Sequence, residues 1–280
     1  MQYTIIIPAH NESTHIDANV TRFIESLPTE LAAILKEVII VENGSTDGTL
    51  EVCRRLKQHF PNLVRIATIS RGSYGEAIKL GMLESRGTHL SILECDFLDS
   101  AFVAKSVAMF QAGKAELIIG SKRHPESSDR RSLKRRALTA LYNLIFVRLF
   151  IGYPGTDTHG LKSIETGRAK ELCRKAITTD EVFQTEIVLL AWRLGLKIDE
   201  IPVNISEVRS TRVTVLRRVP KVFNTVWELK RSLKRFPTKD PAPNLGANPV
   251  AASDVSRKSH AVVAMDDGNS PTDPYRPRVI

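Results

Sequence analysis

Near-continuous Ile/Val/Leu runs at 3–8 (YTIIIP), 37–42 (EVIIVE), 89–94 (HLSILE) and 115–120 (AELIIG) predict strands buried on both faces. LVRIAT at 63–68 is a fifth strand candidate. Between these runs, segments near 14–27, 46–58, 73–85 and 100–112 have helical spacing, with Asp99-Ser100 placed to cap the last. Strands alternating with helices of this length predict right-handed βαβ units and an α/β fold built on a mostly parallel sheet. Open sheets of that kind bind ligands at the carboxyl ends of their strands. Chemistry is therefore expected just after residues 8, 42, 94 and 120, where the sequence turns polar.

The second half has a different pattern. Residues 131–151 predict an amphipathic helix through Leu133, Ala137, Leu138, Leu141, Leu144, Ile145 and Leu149. A further helix is expected over 181–194 and a late strand over 197–205 (KIDEIPVNI). Pro220 suits the first turn of a final helix with Val222, Phe223, Val226, Trp227, Leu233 and Phe236 on its apolar face. Residues 237–280 hold seven of the fourteen prolines and one aromatic, Tyr275, without sustained apolar periodicity. Such a segment buries too little surface to offset its ordering entropy, so a disordered tail is predicted after an ordered domain spanning 1–236.

With 280 residues, 42% of them hydrophobic, the chain can form a sizeable core. No apolar run reaches the roughly 18 residues of a membrane span, and no signal-peptide pattern opens the chain. Cys53, Cys95 and Cys173 form no CxxC pair, so neither a disulfide framework nor a zinc knuckle is indicated. A cytosolic protein, soluble or peripheral to a membrane, is expected. The net charge of +9 is local: residues 122–136 carry seven Lys/Arg against two acids, and 209–236 nine against one. The rest of residues 1–236 is mildly acidic. Two basic patches suit a phosphate-bearing ligand, an anionic membrane or a nucleic acid. No nucleic-acid-binding motif appears, and that class is set aside.

The polar turns are specific in type. Pro8-Ala9-His10-Asn11-Glu12 follows the first strand; it can receive a base or ribose, and reads equally as a helix start capped by Asn11 or Ser13. Glu42-Asn43-Gly44-Ser45-Thr46-Asp47-Gly48-Thr49 follows the second, with Glu42 able to accept hydrogen bonds from a base or ribose; it also reads as an ordinary capped turn. Arg71-Gly72-Ser73-Tyr74-Gly75 follows the third, its glycines allowing close backbone approach to a diphosphate and Arg71 offering a counter-charge. After the fourth comes Glu94-Cys95-Asp96, whose carboxylates, two apart in an extended segment, would face one hard cation together with substrate phosphates. Gly120-Ser121-Lys122-Arg123 opens the first basic patch, followed by Arg130, Arg131, Lys134, Arg135 and Arg136. Asp157, His159 and Glu186 read as site groups or as satisfied structural residues, His159 more naturally as the latter. Arg209-Ser210-Thr211-Arg212 opens the second patch in a loop suited to folding over phosphate.

Taken in order, PAHNE, ENGSTDGT, RGSYGEAIKLGM, ECD, IIGSK, TDTHGLKSI and IDEIPVNISEVRSTR resemble the motifs of family 2 glycosyltransferases with the GT-A fold, and in particular the dolichyl- or polyprenyl-phosphate mannose and glucose synthases. The resemblance covers residues 3–236. It implies a Rossmann-like sheet flanked by helices. It also implies that Pro8, His10, Glu12, Glu42, Asn43, Arg71 and Gly75 line the nucleotide site. Glu94 and Asp96 would hold Mg²⁺ or Mn²⁺ on the diphosphate. Asp96, Lys122 and Arg212 would serve catalysis, and Lys122, Arg123, Arg135, Arg136, Arg209 and Arg212 would face acceptor phosphate and an anionic membrane surface. This chain departs from the family pattern at His10, at Glu42-Asn43 in place of two Asp, at Glu94 in place of Asp, and at Leu98.

The implied reaction moves mannose or glucose from a GDP- or UDP-sugar to a polyprenyl phosphate by inverting displacement, at the inner face of the cell membrane. An acceptor phosphate is already anionic, which agrees with the absence of any Ser-His-Asp or Cys-His set. A hydroxyl acceptor would require a base, for which Asp99, Asp157 and Glu186 are the candidates. A third reading is a non-catalytic nucleotide-sugar-binding protein.

Overall fold

The computed structural model describes residues 1–128, 141, 145, 148, 151–180, 182–204 and 227–236. A seven-stranded sheet has the order β3-β2-β1-β4-β6-β5-β7, with β1 Tyr3–Ala9, β2 Leu35–Asn43, β3 Val64–Ile69, β4 His89–Ile92, β5 Leu117–Ser121, β6 Leu161–Glu165 and β7 Ile198–Pro202. The helices are α1 Ile16–Glu25, α2 Thr29–Ile34, α3 Thr49–His59, α4 Tyr74–Glu84, α5 Ser100–Gln111, α6 Thr166–Lys175 and α7 Phe183–Arg193, and 227–233 is also helical.

β1 to β4 form the expected parallel βαβ array. β1 is buried along its whole length, and β2 over its last seven residues, as their unbroken apolar content requires. β3 lies at the sheet edge and is only partly covered. The chain runs outward from β1 to β2 and β3, then returns to place β4 on the other side of β1. The carboxyl ends of β1 and β4 therefore flank a topological switch point, where open α/β sheets form their binding crevice.

β6 was not anticipated from sequence. It inserts between β4 and β5 and runs antiparallel to both, so the mostly parallel sheet is mixed in its second half. Its sequence, Leu-Lys-Ser-Ile-Glu, carries too few apolar residues to announce a central strand, yet residues 161–164 are buried. The short α2 and the amphipathic α6 are also additions to the expected elements. The late strand expected over 197–205 is confined to 198–202.

Side chains alternate across the sheet. Ile6, Ile39, Val41, Leu90, Ile92 and Ile164 pack with residues of α4, α6 and α7. Ile5, Ile7, Val38 and Ile40 pack with residues of α1, α3 and α5 on the opposite face. In α7 every residue from Phe183 to Ala191 is buried, the mark of a helix enclosed on all sides. Asp99 caps α5 as expected, its Oδ1 accepting from Phe102 N at 2.9 Å.

The final helix differs from its predicted face. Leu229 and Leu233 are buried, whereas Trp227 is 45% exposed with the Arg231 guanidinium 5.6 Å from its ring centre. The three cysteines are buried, and none is in a disulfide. Among the described residues, no helix is long and apolar enough to cross a membrane. Most of the predicted 131–151 helix, Arg130, Arg131, Lys134, Arg135, Arg136, Glu181, the Arg209–Arg212 loop, Pro220 with its first turns, and the 237–280 tail lie outside the described residues.

Candidate active site

The loops after β1, β2 and β3 are tied into one unit. His10 Nδ1 lies 2.7 Å from the Asn43 carbonyl, and Asn43 Oδ1 accepts from Ser73 N at 2.7 Å. Glu42 Oε1 accepts from Ser45 N at 2.6 Å. Gly44 has φ +60°, and a Cβ there would lie 2.7 Å from the Arg71 backbone, so only glycine lets these two turns meet. Asn11 adopts φ 56°, a left-handed conformation that Asn tolerates, and its Oδ1 accepts from Thr46 N at 2.9 Å. The alternative of Asn11 or Ser13 as the cap of α1 is not realised: α1 begins at Ile16 without a side-chain cap. Glu12 N and Ser13 N instead donate to Thr49 Oγ1 and Asp47 Oδ2, at 2.8 Å and 3.2 Å. Pro8 is buried within β1, Glu42 and Asn43 are buried, and His10 and Arg71 are exposed at the rim.

Asp47 anchors this unit. Burial raises its carboxyl pKa, but hydrogen bonds from Thr49 and Ser13 outweigh that and hold it down to about 2. A carboxylate with a lowered native pKa contributes stability that is fully present above its unfolded value near 4 and is lost as pH falls through about 2. Asp47→Asn is therefore expected to lower the urea midpoint at pH 7, and the difference from wild type to shrink toward zero near pH 2. Equal midpoints at pH 7 would remove Asp47 from this role.

Gly75 has a different neighbour from the one its motif suggested. A Cβ there would lie 2.5 Å from the Thr179 carbonyl carbon and the Asp180 oxygen. Ser73 Oγ and Glu76 N both donate to the Thr179 carbonyl, at 2.5 Å and 3.0 Å. The amino end of α4 is thus occupied by the loop before α7, and the close approach that Gly75 permits is to that loop rather than to a diphosphate. Glu186, fully buried on α7, holds the loop by accepting from Ile177 N, Thr178 N and Thr178 Oγ1 at 2.9, 2.8 and 2.5 Å.

Glu94 and Asp96 also sit in a different geometry from the extended pair expected. β4 ends at Ile92, and Phe97 N closes a tight turn onto the Glu94 carbonyl at 2.8 Å. Asn19 Nδ2 fixes that turn to α1 through the Cys95 carbonyl at 3.0 Å. Cys95 is buried, Glu94 half-buried and Asp96 exposed. Two carboxylates on one turn at the switch point offer hard oxygen ligands, the donor type that Mg²⁺ and Mn²⁺ take together with substrate phosphates and water. Among the described residues, no group of three or more His, Cys, Asp and Glu side chains is placed to hold a metal by protein atoms alone.

On the other side of β4, Asp157 is 1% exposed and accepts from Lys122 N at 3.2 Å and His159 N at 2.9 Å. It fixes the start of the Lys122-Arg123 segment against β6. Lys122 is half-buried and Arg123 exposed. His159 is a satisfied turn residue, its Nδ1 3.2 Å from Thr158 Oγ1.

Sequence reasoning did not single out Lys162, Gln184 or Tyr74 as site residues. Lys162 is 1% exposed, on the same face of β6 as Ile164, beneath α4 and α7. Its Nζ donates to the Gly160 carbonyl at 2.9 Å and to Gln184 Oε1. Gln184 Nε2 donates to the Tyr74 hydroxyl at 2.6 Å, and that hydroxyl lies 3.5 Å from Glu94 Oε1. Burial pushes the Lys162 ammonium down to about 7, against the opposing pull of Asp157 and Glu94. Burial, reinforced by Glu94, raises the Tyr74 phenol well above its ordinary value. The available signal was the alternation of Lys162 with Ile164, which a solvent-facing lysine would equally produce.

Comparison with known proteins agrees with this architecture. Glycosyltransferase AglD of Haloferax volcanii is 27% identical over 236 residues, which cover 82% of this chain and 38% of AglD. The dolichyl-phosphate beta-glucosyltransferase ALG5A of Trichomonas vaginalis is 23% identical over 227 residues, covering 76% of this chain and 68% of that protein. This chain thus spans well under half the length of the first relative and about two thirds of the second. Glucosyl-3-phosphoglycerate synthase from Mycobacterium tuberculosis, solved with Mn²⁺ and UDP-glucose, superposes with a TM-score of 0.60 at 19% identity, covering 82% of this chain and 79% of the synthase. That likeness establishes the shared GT-A fold. The family model described as Glycosyl transferase family 2 matches residues 4–164, more than half of the sequence, with the loops after β1 to β5 inside the match. The chain belongs to glycosyl transferase family 2.

Proposed function

We propose that the protein transfers a hexose from a GDP- or UDP-sugar to a polyprenyl phosphate by inverting displacement. The observation that carries the choice of acceptor is the engagement of the three carboxylates available as bases. Asp99 caps α5, Asp157 accepts two backbone N–H groups, and Glu186 holds the 177–178 turn. A hydroxyl acceptor needs a base to take its proton, whereas a phosphate monoester is already an anionic nucleophile. The relatives named for dolichyl-phosphate glucosyl transfer support the same acceptor.

Catalysis on this reading is positioning and charge neutralisation. Pro8, His10, Glu12, Glu42, Asn43 and Arg71 border the nucleotide, their loops locked together before substrate arrives. Glu94 and Asp96 fit Mg²⁺ or Mn²⁺, which when bound neutralises charge on the leaving diphosphate. Lys122 and Arg123 are assigned to the acceptor phosphate, and the family resemblance assigns Arg135, Arg136, Arg209 and Arg212 the same role. On this reading the enzyme works peripherally at the inner face of the cell membrane, supported by the charge of the basic segments and by the apolar surface of exposed Leu141, Ile145 and Trp227.

The test supplies the purified protein with radiolabelled UDP-glucose or GDP-mannose and Mn²⁺. A short polyprenyl phosphate is presented in anionic or neutral vesicles. A lipid product labile to mild acid is expected, formed faster on anionic vesicles and slowed by added salt. An acid-stable product would overturn the acceptor assignment, and equal, salt-insensitive rates on both vesicles would overturn the membrane contact.

A further inference from the structure

The hydrogen-bonded chain Lys162–Gln184–Tyr74–Glu94 starts in the core and ends on a half-buried carboxylate, and its end groups impose a direction on it. Lys162 Nζ donates to the oxygen of the Gln184 side-chain amide, the arrangement that a charged ammonium requires. That choice turns Gln184 Nε2 toward Tyr74, and the phenol oxygen accepts from it at 2.6 Å. With its oxygen receiving, the Tyr74 O–H is directed onward, and the acceptor in front of it is Glu94 Oε1 at 3.5 Å. The separation is long for an O–H···carboxylate hydrogen bond and leaves room to shorten when the carboxylate is drawn into place.

We infer that Lys162, acting through Gln184 and Tyr74, is a positioning residue that aims the Glu94 carboxylate toward the cation site. The inference rests on the assignment of Glu94 to the metal in the proposed function. Three features carry it. A lysine is almost never fully buried without a charged partner, yet this one is 1% exposed and its hydrogen bonds go to neutral oxygens. The chain joins four separate elements or turns, β6, α7, α4 and the turn after β4, so it forms only when the tertiary structure does. It reaches the one carboxylate of the pair that is half-buried and accessible from inside. Glu94 carries one methylene more than Asp, and a longer side chain has more rotamers to fix. A donor from within the core restricts it without occupying the solvent-facing oxygen.

The test measures Mn²⁺ affinity by electron paramagnetic resonance, with UDP and separately with GDP present, alongside thermal unfolding and the split between kcat and KM. Partners that orient a metal ligand change metal affinity about 10–100-fold when removed. Tyr74→Phe is expected to keep the fold and weaken Mn²⁺ binding about tenfold. Gln184→Glu is the directional variant. A carboxylate beside Lys162 has no N–H to give Tyr74 and takes the phenol proton itself, so Glu94 loses its donor. That variant is expected to unfold no earlier than wild type and still show the Mn²⁺ deficit of Tyr74→Phe. Glu94→Ala separates the two claims. If Glu94→Ala binds Mn²⁺ like wild type, the metal assignment itself falls. If Glu94→Ala loses Mn²⁺ while Tyr74→Phe and Gln184→Glu bind it normally, the positioning role falls and the metal assignment stands. In the Glu94→Ala background, adding Tyr74→Phe should change nothing further.

Discussion

Asp96→Ala leaves the protein folded and lowers its transferase turnover by at least about 10³-fold, equivalent to ~4 kcal/mol of transition-state stabilisation. Both halves of that expectation follow from position. Asp96 is exposed on a tight turn and, among the described residues, makes no hydrogen bond that holds the turn; the closure comes from Phe97 N and the anchor from Asn19. Removing its carboxylate therefore costs little stability. In the proposed mechanism, the same carboxylate is one of the two assigned to the cation that would neutralise the departing diphosphate. An unchanged melting temperature with the loss of turnover supports the role, and unchanged turnover overturns it. It would then favour a non-catalytic nucleotide-sugar-binding protein.

Glu186→Ala has the opposite signature. Glu186 is fully buried and is the common acceptor of two backbone N–H groups and the Thr178 hydroxyl. Truncation leaves the two buried donors of Thr178 and the part-buried Ile177 N–H without this partner, at a cost of about 3–5 kcal/mol, since a buried donor keeps its full desolvation penalty. For a domain of this size, that lowers the melting temperature by roughly 10 °C. Activity falls with it, because the 176–180 loop packs on the amino end of α4 through Thr179 and against Gly75. Glu186→Gln retains one acceptor oxygen and is expected to fall between wild type and Glu186→Ala in thermal and urea unfolding. A Glu186→Ala protein as stable as wild type would show that the turn does not depend on this carboxylate.

The two substitutions show why acidic residues of similar appearance in the sequence diverge in role. Asp99, Asp157 and Glu186 each stand beside a polar turn, as Glu94 and Asp96 do. Nothing in their spacing says whether a carboxylate faces a ligand or a row of backbone N–H groups. The packing of α7 beneath the sheet decides it for Glu186, and the antiparallel insertion of β6 decides it for Asp157. The basic residues divide differently. Lys122 follows the last residue of β5 and Lys162 follows the first residue of β6, but one begins a surface segment and the other is enclosed beneath α4 and α7.

The sequence by itself determined the parallel β1–β4 array, the helices between its strands, the cap at Asp99 and the positions of the polar turns. These are encoded over a few residues: unbroken apolar runs require a strand covered on both faces, and helical spacing requires one covered face. Their order also identified the family. Only the tertiary structure decided what lies between β4 and β5, what fills the space beside Gly75, and which carboxylates are already engaged. It alone brought Lys162 within reach of Gln184, Tyr74 and the Glu94 turn. Each of these depends on contacts between residues far apart in the chain, where no local period specifies a partner. A lysine alternating with isoleucine has the same pattern whether its outer neighbour is water or a helix, and α7 makes it a helix.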